Sequence, residues 1–294
     1  MLNKIVEKLK KHSQKIRIFL FLTLITILTT IIIKNISAID LTIIIQSKSI
    51  TLLILLLAAI LILLKSFQLK SVSATFTKSK PYYHFLKTYC MSSFIELTTF
   101  TGKIGSDGFK YIYWNDLTKQ DRLKIIITQR SIDIIGFILL IIFFLKPLLL
   151  ILLIIIATIT YLYTKYKNNE NSITKHLQQH WKILILMLIL SITSYIIIAT
   201  QLGFIFYALG TSITPQIIQG FLFSHAAGAI SQLPLGLGVK DLSLAYLLKD
   251  SLTTQTIILG IIWARLCGEF LSIFLGAIFT GIELLNKKRD NTSP

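Results

Sequence analysis

The chain has 294 residues, 54% of them hydrophobic, and a formal net charge of +17, with a mean hydropathy of +0.73. Several apolar runs reach the roughly 20 residues that span a bilayer, which excludes a soluble globular fold, and polar intervals of about twenty residues are too short for a soluble catalytic domain. The charge does not point to nucleic acid, because the lysines sit between apolar runs, where the positive-inside rule accounts for them.

In chain order, residues 1–17 form a basic segment with Lys4, Lys8, Lys10, Lys11, Lys15 and Arg17, expected to be cytoplasmic. Residues 18–285 are expected to form a single transmembrane domain. Span one is predicted over 18–33; although "ISA" ends at Ala38, the long apolar run favours an uncleaved span over a signal peptide. Span two starts between Leu41 and Ser49 and ends at Leu64. A basic stretch follows, with Lys65, Lys70, Lys78, Lys80 and Lys87. The apolar segment 88–101 is short, holds Glu96, and is predicted to break at Gly102 and Gly105. Span three covers 125–145 and contains Arg130 and Asp133. Pro147 marks a tight turn into span four, 147–163. A polar loop with Lys165, Lys167, Lys175 and Lys182 leads to span five, 183–209. The stretch "FSHAAGAISQLPLGLGVKD" then turns small and breaks at Pro234, Gly236 and Gly238 before Lys240 and Asp241. The last span, 254–285, holds Arg265 and Glu269, and the basic end 286–294 is expected to be cytoplasmic.

Parity constrains the two broken segments. The loops at 65–87 and 164–182 and both termini are basic and belong on one side. Region 88–124 therefore starts and ends in the cytoplasm, and region 211–253 starts and ends outside. Each reads as a re-entrant hairpin, and the two enter from opposite faces. "TTFTGKIGSDGFK" and "SQLPLGLGVKDLS" both carry paired glycines followed by an acid, and each precedes a span with an Arg and an acid three or four residues on. The expected fold is thus an all-α polytopic membrane protein, with about six transmembrane helices and two opposed hairpins in an inverted repeat. Irregular backbone at membrane depth is tolerated only inside protein or along a water-filled cavity.

A helix beginning after Gly238, and one after Gly105, would aim free N–H groups inward and attract an anion. Lys240 and Lys103 or Lys110 add charge, and Arg130 and Arg265 inside spans are suited to bidentate phosphate binding. The pattern suggests a buried anion cavity whose natural ligand in a membrane is a lipid phosphate. Structural readings stand beside this one. Asp107 and Asp241 can cap their half-helices, with Ser106 helping. Arg130–Asp133 and Arg265–Glu269 can be self-neutralising pairs on one helix face. Glu96 is either a satisfied core carboxylate or a proton carrier. His225 reads as a core histidine. His176 and His180 sit four apart in a solvent loop without an acidic partner, which argues against a metal. Cys90 and Cys267 lie in different apolar segments, without ligand spacing. No cofactor is expected. The chain has no P-loop, no H-E-x-x-H, no D-x-D and no G-x-S-x-G, so no enzyme activity is expected.

At these same residues the chain resembles the flippase-like membrane region of the lysylphosphatidylglycerol synthase family, which also occurs as stand-alone membrane proteins. "TGKIGSDGFK" is similar to the family's P-G-x-x-G-G-D-x-x-R: Gly102, Gly105 and Asp107 match, Thr101 replaces the proline, Ser106 a glycine, and Lys110 the arginine. "QRSIDIIG" fits the following Arg-bearing span at Arg130. "PLGLGVKD" is similar to P-x-G-x-G-x-x-E through Pro234, Gly236 and Gly238, with Asp241 for Glu, and Arg265 matches a late-span arginine. The resemblance runs from about Leu20 to Leu285. It implies handling of lipid head groups between leaflets, of a phospholipid or polyprenyl-phosphate type. It does not imply lysyl transfer, which belongs to a soluble aminoacyl-transfer domain expected to be absent here. The alternatives are a non-transporting membrane partner of a lipid- or glycan-modifying enzyme, or a small-anion or drug transporter.

Overall fold

The computed structural model describes residues 47–78, 80–99, 102–145, 172–231 and 233–290. The expected basic N-terminus, span one at 18–33, and Pro147 with span four at 147–163 lie outside the described residues. Among those described there are helices and no strand. They are α1 (Lys48–Ala74), α2 (Tyr82–Thr98), α3 (Lys103–Tyr113), α4 (Lys119–Leu145), α5 (Ser172–Ala208) and α6 (Pro215–Ser231). A 3₁₀ turn (Pro234–Gly236), α7 (Val239–Leu248) and α8 (Thr254–Trp263) follow. A π turn (Ala264–Glu269) then joins α8 to α9 (Phe270–Asp290).

Among the described residues, four stretches are long and apolar enough to cross a membrane: Lys48–Ala74, Lys119–Leu145, Trp181–Ala208 and Thr254–Leu285. Their surfaces are consistent with helices in lipid. On α1, Ile54, Ala58, Ile62 and Leu69 are buried at helical spacing, yet Leu52, Leu56, Leu63 and Phe67 point outward and are just as apolar. Polar side chains are turned inward instead: Ser66, Gln68, Gln129, Ser191, Ser194 and Gln201 are buried. Two of the serines are satisfied locally, Ser66 donating to the Ile62 carbonyl and Ser194 to that of Leu190, each at 2.7 Å.

Several boundaries differ from the sequence reading. The α1 helix does not stop at Leu64 but runs to Ala74, because Leu69 and Val72 belong to a core that also holds Phe85. The short segment predicted from 88 begins at Tyr82 and closes at Thr98. Gly105 is not a break; it lies inside α3, which already starts at Lys103. Gly102 takes the left-handed conformation, with φ +50°, its N–H on the Thr99 carbonyl and its own carbonyl accepting from Ser106 N–H, both at 3.1 Å. The α4 helix begins at Lys119 rather than 125, because Thr118 caps it. The Thr118 hydroxyl accepts from Asp121 N–H at 3.2 Å and donates to the Asp121 carboxylate at 2.7 Å. Much of the expected loop 164–182 is helical, α5 starting at Ser172, which carries His176 and His180 on a helix.

The described chain forms two compact units. One takes in described residues up to Ile60, Cys90–Ile112 and those from Ala199; the other takes in Leu61–Tyr89 and described residues of Tyr113–Ile198. The second unit is built on a core of Leu69, Val72, Phe85, Trp114, Ile125, Ile132 and Met187. Gly136 of α4 lets α5 approach closely: a Cβ there would sit 2.7 Å from the Ser191 hydroxyl. At the end of this unit Lys80 pairs with Asp116 at 2.6 Å, and Arg122 closes the turn before α4 by donating to the Leu117 and Asn115 carbonyls, each at 2.8 Å. The Lys80 ammonium holds the Asp116 carboxyl below its ordinary value.

In the first unit Ile54, Ile205, Trp263 and Cys267 form the core. Gln201 donates to the Ile54 carbonyl at 3.0 Å. Two glycines allow near-contact of helices. Gly260 accommodates the Phe206 ring, and Gly276 lies where any Cβ would collide with the Cys90 backbone carbonyl and the Phe94 Cβ.

Candidate functional site

The α6 and α7 helices form an antiparallel hairpin. Gly220 faces Leu244 and Leu248, and Gly228 faces Gly236 and Lys240. At the tip the chain needs two left-handed residues, Gly236 at φ +66° and Gly238 at φ +79°, a conformation costly for any residue with a Cβ. Space forbids one as well: a Cβ on Gly236 would lie 2.9 Å from the Gly228 Cα. Pro234 opens the 3₁₀ turn between them. The tip is therefore made of main chain packed on main chain, which brings Lys240, at the second residue of α7, down against α6.

The new helix begins after Gly238, as the sequence predicts, but its N-terminus already holds an anion. The Asp241 carboxylate reaches back to accept from Gly238 N–H at 3.2 Å. The same carboxylate takes a fork from Arg265, whose Nη2 donates to its two oxygens at 2.9 and 3.0 Å and whose Nε donates to Oδ1 at 3.2 Å. The other guanidinium nitrogen, Nη1, donates to Glu269 Oε2. The second Glu269 oxygen receives Lys240 Nζ at 3.0 Å. Asp241 and Glu269 are thus joined through Arg265, and Glu269 bridges Arg265 to Lys240. The cluster holds two cations and two carboxylates, net zero. Burial at this depth demands such pairing, because an unpaired ion in a low-dielectric interior costs several kcal/mol.

Arg265 and Glu269 stand in a local widening of the last span. Phe270 N–H donates to the Arg265 carbonyl, five residues back, so the helix carries a π turn over Ala264–Glu269. Such bulges loosen a helix at one point and are frequent where a side chain must be re-aimed.

A cavity of about 100 Å³ opens beside the cluster. Glu96 of α2 and Lys103 of α3 line it, with His225, Gly236 and Lys240 from the α6–α7 hairpin and Glu269 from the π turn. Five of these six can carry charge, and the sixth, Gly236, sits at the glycine tip. The structure therefore brings together Glu96, Lys103, Lys240 and Glu269, with Asp241 and Arg265 bonded behind them. Lys110, also expected here, is buried and pairs with Asp107 at 3.5 Å; neither is in the cavity wall.

Arg130 and Asp133 belong to the other unit and do not line this cavity. Oδ1 of Asp133 takes hydrogen bonds from Lys65 at 2.7 Å and from Gln68 and Ser191 at 3.1 Å each. The Lys65 ammonium also lies 5.3 Å from the centre of the Tyr195 ring. The Lys65–Asp133 pair was not expected, because Lys65 reads as the first charge of a cytoplasmic loop. Its only hint is Gln68, one helical turn on and fully buried. His225 was likewise expected in the core, and its place in the cavity wall follows only from the fold of the α6–α7 hairpin. Among the described residues there is no group of His, Cys, Asp or Glu that could hold a metal ion.

No protein-family model matches this chain and no curated protein shows significant similarity to it, so the geometry of the charged cavity carries the functional reading.

Proposed function

We propose that this chain is a flippase-like lipid translocase of the cell membrane that moves an anionic or phosphate-bearing head group between leaflets. In this reading it has six spans, both termini are cytoplasmic, and α2–α3 and α6–α7 are re-entrant hairpins entering from opposite faces. At 1.5 Å per residue, the 17 residues of α2 and of α6 rise about 25 Å, short of the roughly 30 Å hydrocarbon core. The order of the glycine motifs and of the Arg-bearing spans, similar to that of the lysylphosphatidylglycerol synthase membrane region, supports the same reading.

The observation that carries it is the broken-helix tip of Gly236 and Gly238, which sets Lys240 and the Arg265–Glu269 pair at the edge of a small charged cavity. A structural helix hairpin does not require charged side chains converging on a space at membrane depth. The test is translocation of fluorescent lipids in liposomes holding the purified protein, comparing anionic with zwitterionic lipids. Arg265→Lys should fold but translocate poorly, since an ammonium cannot replace the planar fork. Normal translocation by that variant would refute the phosphate role of Arg265.

A second reading is favoured by one specific observation: Arg265 and Lys240 are both already neutralised by carboxylates. A non-transporting membrane partner of a lipid- or glycan-modifying enzyme would need the cluster only for folding. Wild-type protein that moves no lipid, with Arg265 and Asp241 variants equally destabilised, would establish that reading.

A further inference from the structure

We propose that Glu269 is an exchangeable occupant of the head-group site, so that each phosphate bound is accompanied by one proton taken up by Glu269. This rests on the lipid-translocase reading and adds its coupling ion. Glu269 holds Lys240 with one oxygen and Arg265 with the other, so it occupies both cations a phosphate would use. It lines the cavity, and Asp241 does not. Asp241 is fixed on three sides, by Arg265 Nε and Nη2 and by Gly238 N–H, and its side chain is 5% exposed against 26% for Glu269. One carboxylate is anchored and the other can be displaced.

Charge balance makes the exchange obligatory. Lys240, Arg265, Asp241 and Glu269 sum to zero. A phosphodiester entering unaccompanied leaves a net negative charge at membrane depth, an arrangement of high cost. If the Glu269 carboxylate accepts one proton, its contacts to Lys240 and Arg265 pass to two phosphate oxygens and the sum returns to zero. Release of the phosphate reverses both steps. The other ionisable groups around the cavity are Glu96 of α2, Lys103 of α3 and His225 of α6. Glu96 and Lys103 are opposite in charge. Two of these groups are rival proton acceptors, the Glu96 carboxylate and His225, whose imidazole class titrates near pH 6.5.

The experiment measures binding of short-chain phosphatidylglycerol to purified protein between pH 5 and 8, beside its chainless phosphodiester, glycerophosphoglycerol. Neither ligand titrates in that range. By linkage, uptake of one proton weakens binding by about tenfold per pH unit above the Glu269 titration. Glu269→Gln should bind as tightly as wild type does at low pH, with no slope. In weak buffer, wild-type protein should take up one proton per lipid bound, a measurement that needs no variant to fold. Measurable binding with no pH slope and no proton uptake overturns the coupling and leaves the translocase reading standing. A slope that survives in Glu269→Gln overturns the assignment to Glu269, and its loss in His225→Gln or Glu96→Gln identifies the acceptor instead. Equal binding of the chainless phosphodiester, with the slope, supports the coupling and overturns the lipid as its source. No binding of either ligand at any pH overturns the coupling together with the head-group reading.

Discussion

Arg265→Gln tests whether the charge cluster is the keystone of the first unit. The guanidinium makes three hydrogen bonds to Asp241 and one to Glu269. Truncation leaves Glu269 with Lys240, but leaves Asp241, 5% exposed, with only Gly238 N–H. Removing one partner of a buried ion pair costs about 3–5 kcal/mol, because the other charge stays behind uncompensated. Adding Asp241→Asn removes that stranded charge, and the double variant should recover about 1–3 kcal/mol. Arg265→Lys should fall between wild type and Arg265→Gln, since one ammonium cannot serve both carboxylates at once. The assay is equilibrium unfolding in mixed micelles with a denaturing detergent, followed by the near-ultraviolet signal of the tryptophans. An Arg265→Gln variant within about 1 kcal/mol of wild type would refute a keystone role, as would a double variant no more stable than the single one.

Gly276→Ala should destabilise by about 1–3 kcal/mol in the same assay, because its Cβ meets the Cys90 carbonyl, whereas Gly281→Ala, which meets nothing within 4 Å, should be neutral or gain up to about 1 kcal/mol of helix propensity. Equal effects would mean that α2 and α9 do not approach as described. The Lys80–Asp116 pair lowers the Asp116 pKa, so its contribution is present above the ordinary aspartate value near 3.9 and is lost as pH falls through the lower folded value. Asp116 is 47% exposed, so Lys80→Met should cost no more than about 1 kcal/mol at neutral pH and should narrow its gap to wild type in acid; a constant gap down to pH 2 would show that the pair contributes nothing. Single cysteines at Lys119 and Lys175 should label from the cytoplasm and one at Thr253 from outside. Opposite labelling of Lys119 and Lys175 would make the α2–α3 segment a full crossing.

Local chemistry alone determined several features. The apolar runs mark which described segments are long enough to cross a membrane, because length against bilayer thickness needs no partner. Pro234, Gly236 and Gly238 fix the second break, because left-handed backbone and a missing N–H are properties of those residues themselves. The Arg265–Glu269 pair was legible too, lying four apart on one helix.

What only the tertiary structure decided is how far each helix runs and which charges meet. Gly105 had the same composition signal as Gly102, yet it is Gly102 that takes the left-handed conformation, and α3 runs through Gly105 undisturbed. The α1 helix outlasts its apolar run because Leu69 and Val72 find Phe85 and Trp114. Asp133 finds Lys65, 68 residues away, and Arg265 finds Asp241, 24 residues away. In a chain where outward faces are as apolar as inward ones, hydrophobic pattern does not reveal how each helix is rotated. Rotation is set by where small residues let helices approach and where buried charges can be paired, and both are properties of two helices at once.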